Sequence, residues 1–173
     1  WSLALTNVAI LIYTRIDVVM LAALRDPNET GLYAAAVRLI EIGYIIPMIL
    51  VNTLFPTLAR LHATDPDGFQ RIFQRLLATV AWGGIATASV LGLGSQIWID
   101  WIYGPSFAAA APVLAIGAAS CVFAGLGAVR SQWLLLNGLQ HYGLYYVALG
   151  AVLSPALNGW LIPQFGALGA ATA

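Results

Sequence analysis

Lysine is absent from this 173-residue chain, histidine occurs twice, cysteine once, and charged residues amount to only 8%. A soluble globular domain carries about 25% charged residues, so water would not solvate a surface this bare. Seven arginines balance seven acids to a formal net charge of zero, leaving no basic stripe to neutralise nucleic-acid phosphates. Cys121 lies alone in an apolar run, so neither a disulfide framework nor a thiolate metal site can be built, and it reads as a small packed hydrophobe. There is no glycine-rich phosphate loop with its lysine and no zinc-protease helix motif. His62 and His141 fall in separate loops, and the Asp65/Asp67 pair is explained by an Asp-Pro-Asp-Gly turn. These absences argue against an enzyme and against a bound cofactor.

What the chain has is apolar length. Hydrophobic residues make up 61% of it, and its mean hydropathy is +0.86. A membrane-spanning helix needs about 20 largely apolar residues, and five segments meet that length: 1–24, 32–61, 72–99, 107–136 and 142–162. Residues 166–173 read as the start of another, and glycine or proline stands at nearly every boundary. No segment alternates with a two-residue period, which argues against a membrane β-barrel. The expectation is an all-α, polytopic transmembrane helical bundle, about five complete spans plus the start of a sixth, in one domain. The chain opens inside an apolar helix and ends inside another, so it is expected to be a piece of a longer protein.

Arginines near helix ends set orientation. Arg60, Arg71 and Arg75 cluster in the connection between the second and third segments, whereas the opposite side offers Arg25 against Asp26, Glu29 and Asp100. The Arg60–Arg75 loop is therefore expected in the cytoplasm. Trp98, Trp101 and Tyr103 suit the outer aromatic belt, and Tyr142, Tyr145 and Tyr146 the inner one.

Five charges fall within the apolar segments: Arg15, Asp17, Arg38, Glu41 and Arg130. An ion near the bilayer centre costs about 2.5–3.5 kcal/mol on insertion scales, so such residues usually face a bundle interior or a wet cavity. The turn between the first two segments centres near Asn28; Asp17 and Arg38 stand at similar distances from it, as do Arg15 and Glu41. In an antiparallel hairpin equal distance means equal depth, so Asp17 should face Arg38, and Arg15 should face Glu41. At 1.5 Å per residue both levels lie roughly 10–15 Å below the outer surface, too deep for short carboxylates to snorkel comfortably. The expectation is a mutually neutralising cluster lining a polar cavity. Two ion pairs that only fix helix register are the plainer alternative.

Arg130 lies about two turns from the end of its helix at Asn137-Gly138. It either snorkels to headgroups or supplies a second anion contact in a cytoplasm-facing cavity. Pro47 removes a backbone donor in mid-span, as a static kink or as a hinge for an inward–outward transition. Asn7, Thr14, Asn52 and Asn158 suit interhelical hydrogen bonds.

Several runs, in this order and spacing, resemble the Wzx-like polysaccharide-biosynthesis flippases of the multidrug/oligosaccharidyl-lipid/polysaccharide exporter superfamily. They are Tyr13 to Leu21, Gly31 to Glu41, Ile46-Pro47, Leu54 to Arg60, Tyr103 to Phe107, Ala110 to Leu114, Leu157 to Pro163 and Gly166 to Thr172. The resemblance covers essentially the whole chain. It implies a MATE-like transporter of two pseudo-symmetric bundles, this chain matching most of the second, with the first bundle in the missing N-terminal half as its partner. It implies a cell-membrane flippase that turns a lipid-linked oligosaccharide from the cytoplasmic to the outer leaflet by alternating access. Family members are thought to use a cation-lined cavity and coupling to H+ or Na+, and Arg15, Asp17, Arg38 and Glu41 fall within the matching motifs. The alternatives are a multidrug or cation antiporter of the same superfamily, in which Asp17 or Glu41 would take the ion, and a membrane-embedded enzyme or assembly subunit of lipid-linked sugar metabolism.

Overall fold

A computed structural model describes residues 15–173, all of whose regular elements are helical, with no strand among them. Residues 15–24 (α1) lead through a tight turn into α2, Pro27–Thr64, where Pro27 opens the helix with a preset φ and no donor to waste. At 38 residues α2 is about 57 Å long, and it is unbroken through Pro47 and Pro56. Asp65 ends it and caps α3, Pro66–Leu93, its carboxylate accepting from the Gly68 N–H at 2.9 Å.

The expected third segment, 72–99, corresponds instead to a helix that stops at Leu93 and a separate short helix, α4, Ser95–Ile102. Gly94 makes the break. A Cβ there would stand 2.7 Å from the Val90 carbonyl oxygen and 2.9 Å from the Trp98 indole nitrogen. Only glycine lets that indole donate to the Val90 carbonyl, at 3.1 Å.

The expected fourth segment, 107–136, is also not one helix. It comprises a 3-10 stretch Pro105–Ala110, then α5, Ala111–Gly117, and α6, Ser120–Leu136, with a bend of 44° between the two halves. The Ser120 hydroxyl donates to the Gly117 carbonyl, while the Cys121 and Val122 amides turn to Ala118 and Ala119 in the tighter i,i−3 pattern. A side-chain hydroxyl has taken a place in the helical ladder, a recognised cause of bending. After the turn at Gly138 (φ 68°) come α7, Gln140–Phe165, and α8, Ala167–Thr172, separated by Gly166 at φ 59°.

Helices α2, α3 and α7 are long and apolar enough to cross a bilayer, and the bent α5–α6 pair could make a fourth span. The expected first segment, 1–24, lies partly outside the described residues. Helices α2, α3 and α6 pack on one another through small residues. Gly84 lies where a Cβ would stand 3.0 Å from Val122 Cα, and Gly125 where one would stand 2.8 Å from Val80 Cγ1 and 3.5 Å from Pro47 Cβ. Two buried clusters result. One gathers Leu21, Leu39, Ile40, Ile99 and Leu114, the other Val51, Leu58, Leu76, Val80 and Val129. Large apolar side chains such as Ile46, Trp82, Phe123 and Val152 point outward, as a lipid-facing surface requires.

Candidate functional site

Helices α1 and α2 form the antiparallel hairpin on which the charges sit. Arg15 meets Glu41, its Nη2 lying 3.6 Å from Oε1, with both side chains about half exposed. Asp17 does not meet Arg38. Its Oδ2 accepts from the Tyr33 hydroxyl, and its Oδ1 is buried without a hydrogen-bond partner among the described residues. Tyr33, Ile40 and Tyr44 share the α2 face that packs toward α1 and α5, whereas Arg38 is exposed on another face and pairs with no acid among the described residues. Equal distance from the turn fixed depth but not rotation about the helix axis.

Two cavities flank this arrangement. The inner one, ≈ 480 Å³, is lined by Arg15, Asp17, Tyr33, Glu41, Ser154 and Asn158, among others, and closed on one side by alanines of α8. The outer one, ≈ 620 Å³, is lined by Arg15, Val18, Val37, Arg38, Glu41 and Ile45, among others. Val37, Glu41 and Arg15 therefore form the ridge between them.

Asn158 is 1% exposed, and its amide nitrogen donates to Ser154 Oγ within its own helix, at 3.2 Å. Among the described residues the expected interhelical bond is not made, and Asn158 Oδ1 is buried without a partner there. Arg25 contacts Ile162 and Pro163, and Met20 Cε lies 3.7 Å from where a Cβ on Gly159 would be. Helices α1 and α7 thus run side by side in the same direction, which brings Asp17 level with Ser154 and Asn158. Two buried oxygens without a partner among the described residues, one of them a carboxylate oxygen, line one cavity at one depth, close to a tyrosine and a serine hydroxyl. No group of three His, Cys, Asp or Glu able to hold a metal occurs among the described residues.

Arg130 lines neither cavity. Its guanidinium stacks over the Tyr146 ring, 3.8 Å from the centroid, on the outside of the α6–α7 pair. Pro47 is buried against Gly125, and Asn52 accepts from Gln132 across helices at 3.4 Å. Asn7 and Thr14 lie outside the described residues.

Arg25, read from sequence only as a loop charge, has a structural part. It donates to the Ile162 carbonyl at 3.2 Å and the Pro163 carbonyl at 2.8 Å, and lies 4.0 Å from Glu29. These contacts tie the last turn of α7 to the start of α2, the Ile162 carbonyl accepting from the Gly166 amide as well. No local sequence signal links positions so far apart. Arg25→Met is expected to lower stability by about 1.5–3 kcal/mol, the usual worth of hydrogen bonds to a charged group. A thermal unfolding midpoint in detergent no lower than wild type would show that the clamp contributes nothing.

Comparison with known proteins places these residues among relatives. Residues 1–62 match the family model described as "Polysaccharide biosynthesis protein". The chain is 27% identical over 186 aligned residues to a protein named "Probable flippase AglR" from Haloferax volcanii, the alignment covering 98% of this chain and 36% of that protein. The chain thus spans about a third of the length of the curated relative it matches. No solved structure matches it. Both matches support the resemblance to Wzx-like polysaccharide-biosynthesis flippases. The family match contains the Tyr13–Leu21, Gly31–Glu41 and Leu54–Arg60 runs, and the longer alignment extends over most of the rest. Together with the apolar helices they point to a multi-pass membrane protein similar to a probable flippase.

Proposed function

We propose that this chain is part of a flippase that carries a lipid-linked oligosaccharide from the cytoplasmic to the outer leaflet by alternating access. It supplies most of the second bundle of a MATE-like cell-membrane transporter. The first bundle forms the facing wall, and the Arg60–Arg75 connection lies in the cytoplasm. One observation carries the reading. Arg38, exposed and paired with no acid among the described residues, lines an open cavity of ≈ 620 Å³ beside the Arg15–Glu41 pair. A hydrated glycan on an anionic pyrophosphate cannot cross hydrocarbon unaided. A guanidinium free to form charge-assisted, bidentate bonds compensates the lost hydration of that phosphate. Arg15, half-neutralised by Glu41, adds attraction without making the cavity a trap.

The coupling ion is H+ or Na+. The residues that would hold it are Asp17 and Asn158, whose buried oxygens, without a partner among the described residues, suit a small hard cation or a proton. Pro47, buried where α2 meets α6, is the hinge of the transition.

The test is leaflet transfer of a labelled lipid-pyrophosphate oligosaccharide in proteoliposomes of the complete protein. Arg38→Ala is expected to slow transfer about ten- to a hundred-fold, the worth of one charge-assisted contact, and Arg15→Ala by less. If both variants are folded and transfer normally, these charges are structural. If the wild type moves no such lipid, cation efflux becomes the reading to test, with the orphaned Asp17 oxygen as its support.

A further inference from the structure

Outside both cavities, α6 and α7 present a second arrangement that the transport reading does not use. Arg130 is exposed yet held, its guanidinium stacked flat on the Tyr146 ring at 3.8 Å. Stacking fixes the plane of the fork and leaves its N–H edge directed outward. No carboxylate pairs with it among the described residues. Tyr142 and Tyr145, in the turn of α7 that leads to Tyr146, are also exposed, their rings 6.5 Å apart edge to face. Tyrosine at this density suits the headgroup level of a bilayer, where an apolar ring and a polar hydroxyl are both satisfied.

The position along the bundle adds an independent argument. Val129, next to Arg130, shares a buried cluster with Leu58, Phe69 and Leu76, so this end of α6 lies at the end of the bundle that carries the α2–α3 connection. That end holds Arg60, Arg71, Arg75 and Arg130 against only Asp65 and Asp67, and Asp65 is engaged in capping α3. The opposite end has Arg25 against Asp26, Glu29 and Asp100. An anionic leaflet surface complements the first end and not the second.

We infer that Arg130, stacked on Tyr146, binds the phosphate of an anionic bilayer phospholipid on the outer face of the α6–α7 pair. The guanidinium edge takes two phosphate oxygens, the neighbouring tyrosine hydroxyls face the headgroup, and the acyl chains lie against the apolar outer surface of α7. The occupant is a lipid of the surrounding leaflet rather than the cargo, because Arg130 lines neither cavity.

The complete protein, exchanged into nanodiscs of equal parts phosphatidylglycerol and phosphatidylcholine, is stripped with mild detergent. Its retained lipids are then counted by native mass spectrometry. Wild type is expected to retain phosphatidylglycerol in preference. Arg130→Gln should reduce that preference about five-fold, the worth of one arginine near an anionic surface. Tyr146→Leu, which keeps the charge but removes its support, should reduce it comparably, whereas Arg71→Gln should leave it nearly intact. Equal losses from Arg130→Gln and Arg71→Gln would mean diffuse attraction and overturn the site, as would full retention in Tyr146→Leu. Displacement of phosphatidylglycerol by a short polyprenyl diphosphate in wild type, absent in Arg130→Gln, would assign the site to cargo and also overturn the inference. Retention needs no transport, so this result stands apart from the flippase assay.

Discussion

Asp17→Asn is expected to abolish gradient-driven transfer of the lipid-linked oligosaccharide while leaving the protein folded. Asparagine keeps the volume of aspartate and can still accept from the Tyr33 hydroxyl, so the packing around α1 and α2 survives. What disappears is the charge on an oxygen that is buried and unpartnered among the described residues. Leaving such a group in an apolar setting is costly unless something neutralises it. Under the proposed coupling, a sodium ion or a proton does so. Transfer should therefore be measured under a sodium gradient at uniform pH, and under a pH gradient without sodium. Wild type should respond to one of them, and Asp17→Asn to neither. Asn158→Leu, removing the second orphaned oxygen, should blunt the same response. An Asp17→Asn protein that follows the gradient like wild type would make Asp17 a partner for Tyr33 and nothing more.

Among glycines where α3 and α6 pack together, the larger stability loss is expected from Gly84→Leu. A Cβ at Gly84 would meet backbone, Val122 Cα at 3.0 Å, and backbone has little room to yield. Overpacking of this kind costs about 1–3 kcal/mol and sometimes more, and a leucine adds three further carbons in the same direction. Gly125→Leu should cost somewhat less, because its first obstacle is the side chain of Val80 at 2.8 Å. Gly83→Leu is the control: nothing lies within 4 Å of a Cβ there, and leucine has the better helix propensity. Thermal unfolding followed by intrinsic fluorescence, with size-exclusion profiles, separates the three. Equal midpoints for Gly83→Leu and Gly84→Leu would contradict the close approach of α3 and α6.

Helix-rich architecture was legible because spanning length is a one-dimensional property, and glycine and proline mark its ends. Depth was legible too, since counting from the Asn28 turn brought Arg15 to Glu41. Rotation was not. A helix turns 100° per residue, and nothing local says which face of α2 meets α1; Asp17 therefore went to Tyr33 rather than to Arg38. Breaks inside apolar runs were hidden for a related reason. Gly94 and Ser120 interrupt helices through contacts with Trp98 and with the Gly117 carbonyl, and composition averaged over a window does not register one hydroxyl or one missing Cβ. That Asp17 and Asn158 line one cavity depends on α1 and α7 lying side by side, a neighbourhood that only tertiary structure supplies.

The length of α2 has a mechanical consequence. A helix of about 57 Å exceeds a hydrocarbon core of about 30 Å even when tilted, so α2 and α3, joined at Asp65, must project beyond the apolar layer as a stiff elbow. Its tip is braced by the capping bond from Gly68 to Asp65 and by the edge-to-face contact of His62 with Phe69. Such an elbow acts as a lever: a tilt of about 10° within the membrane sweeps a tip standing about 20 Å away through roughly 3–4 Å. Small changes in bundle packing are thereby turned into a displacement at the surface large enough for a probe attached near Asp65 to register.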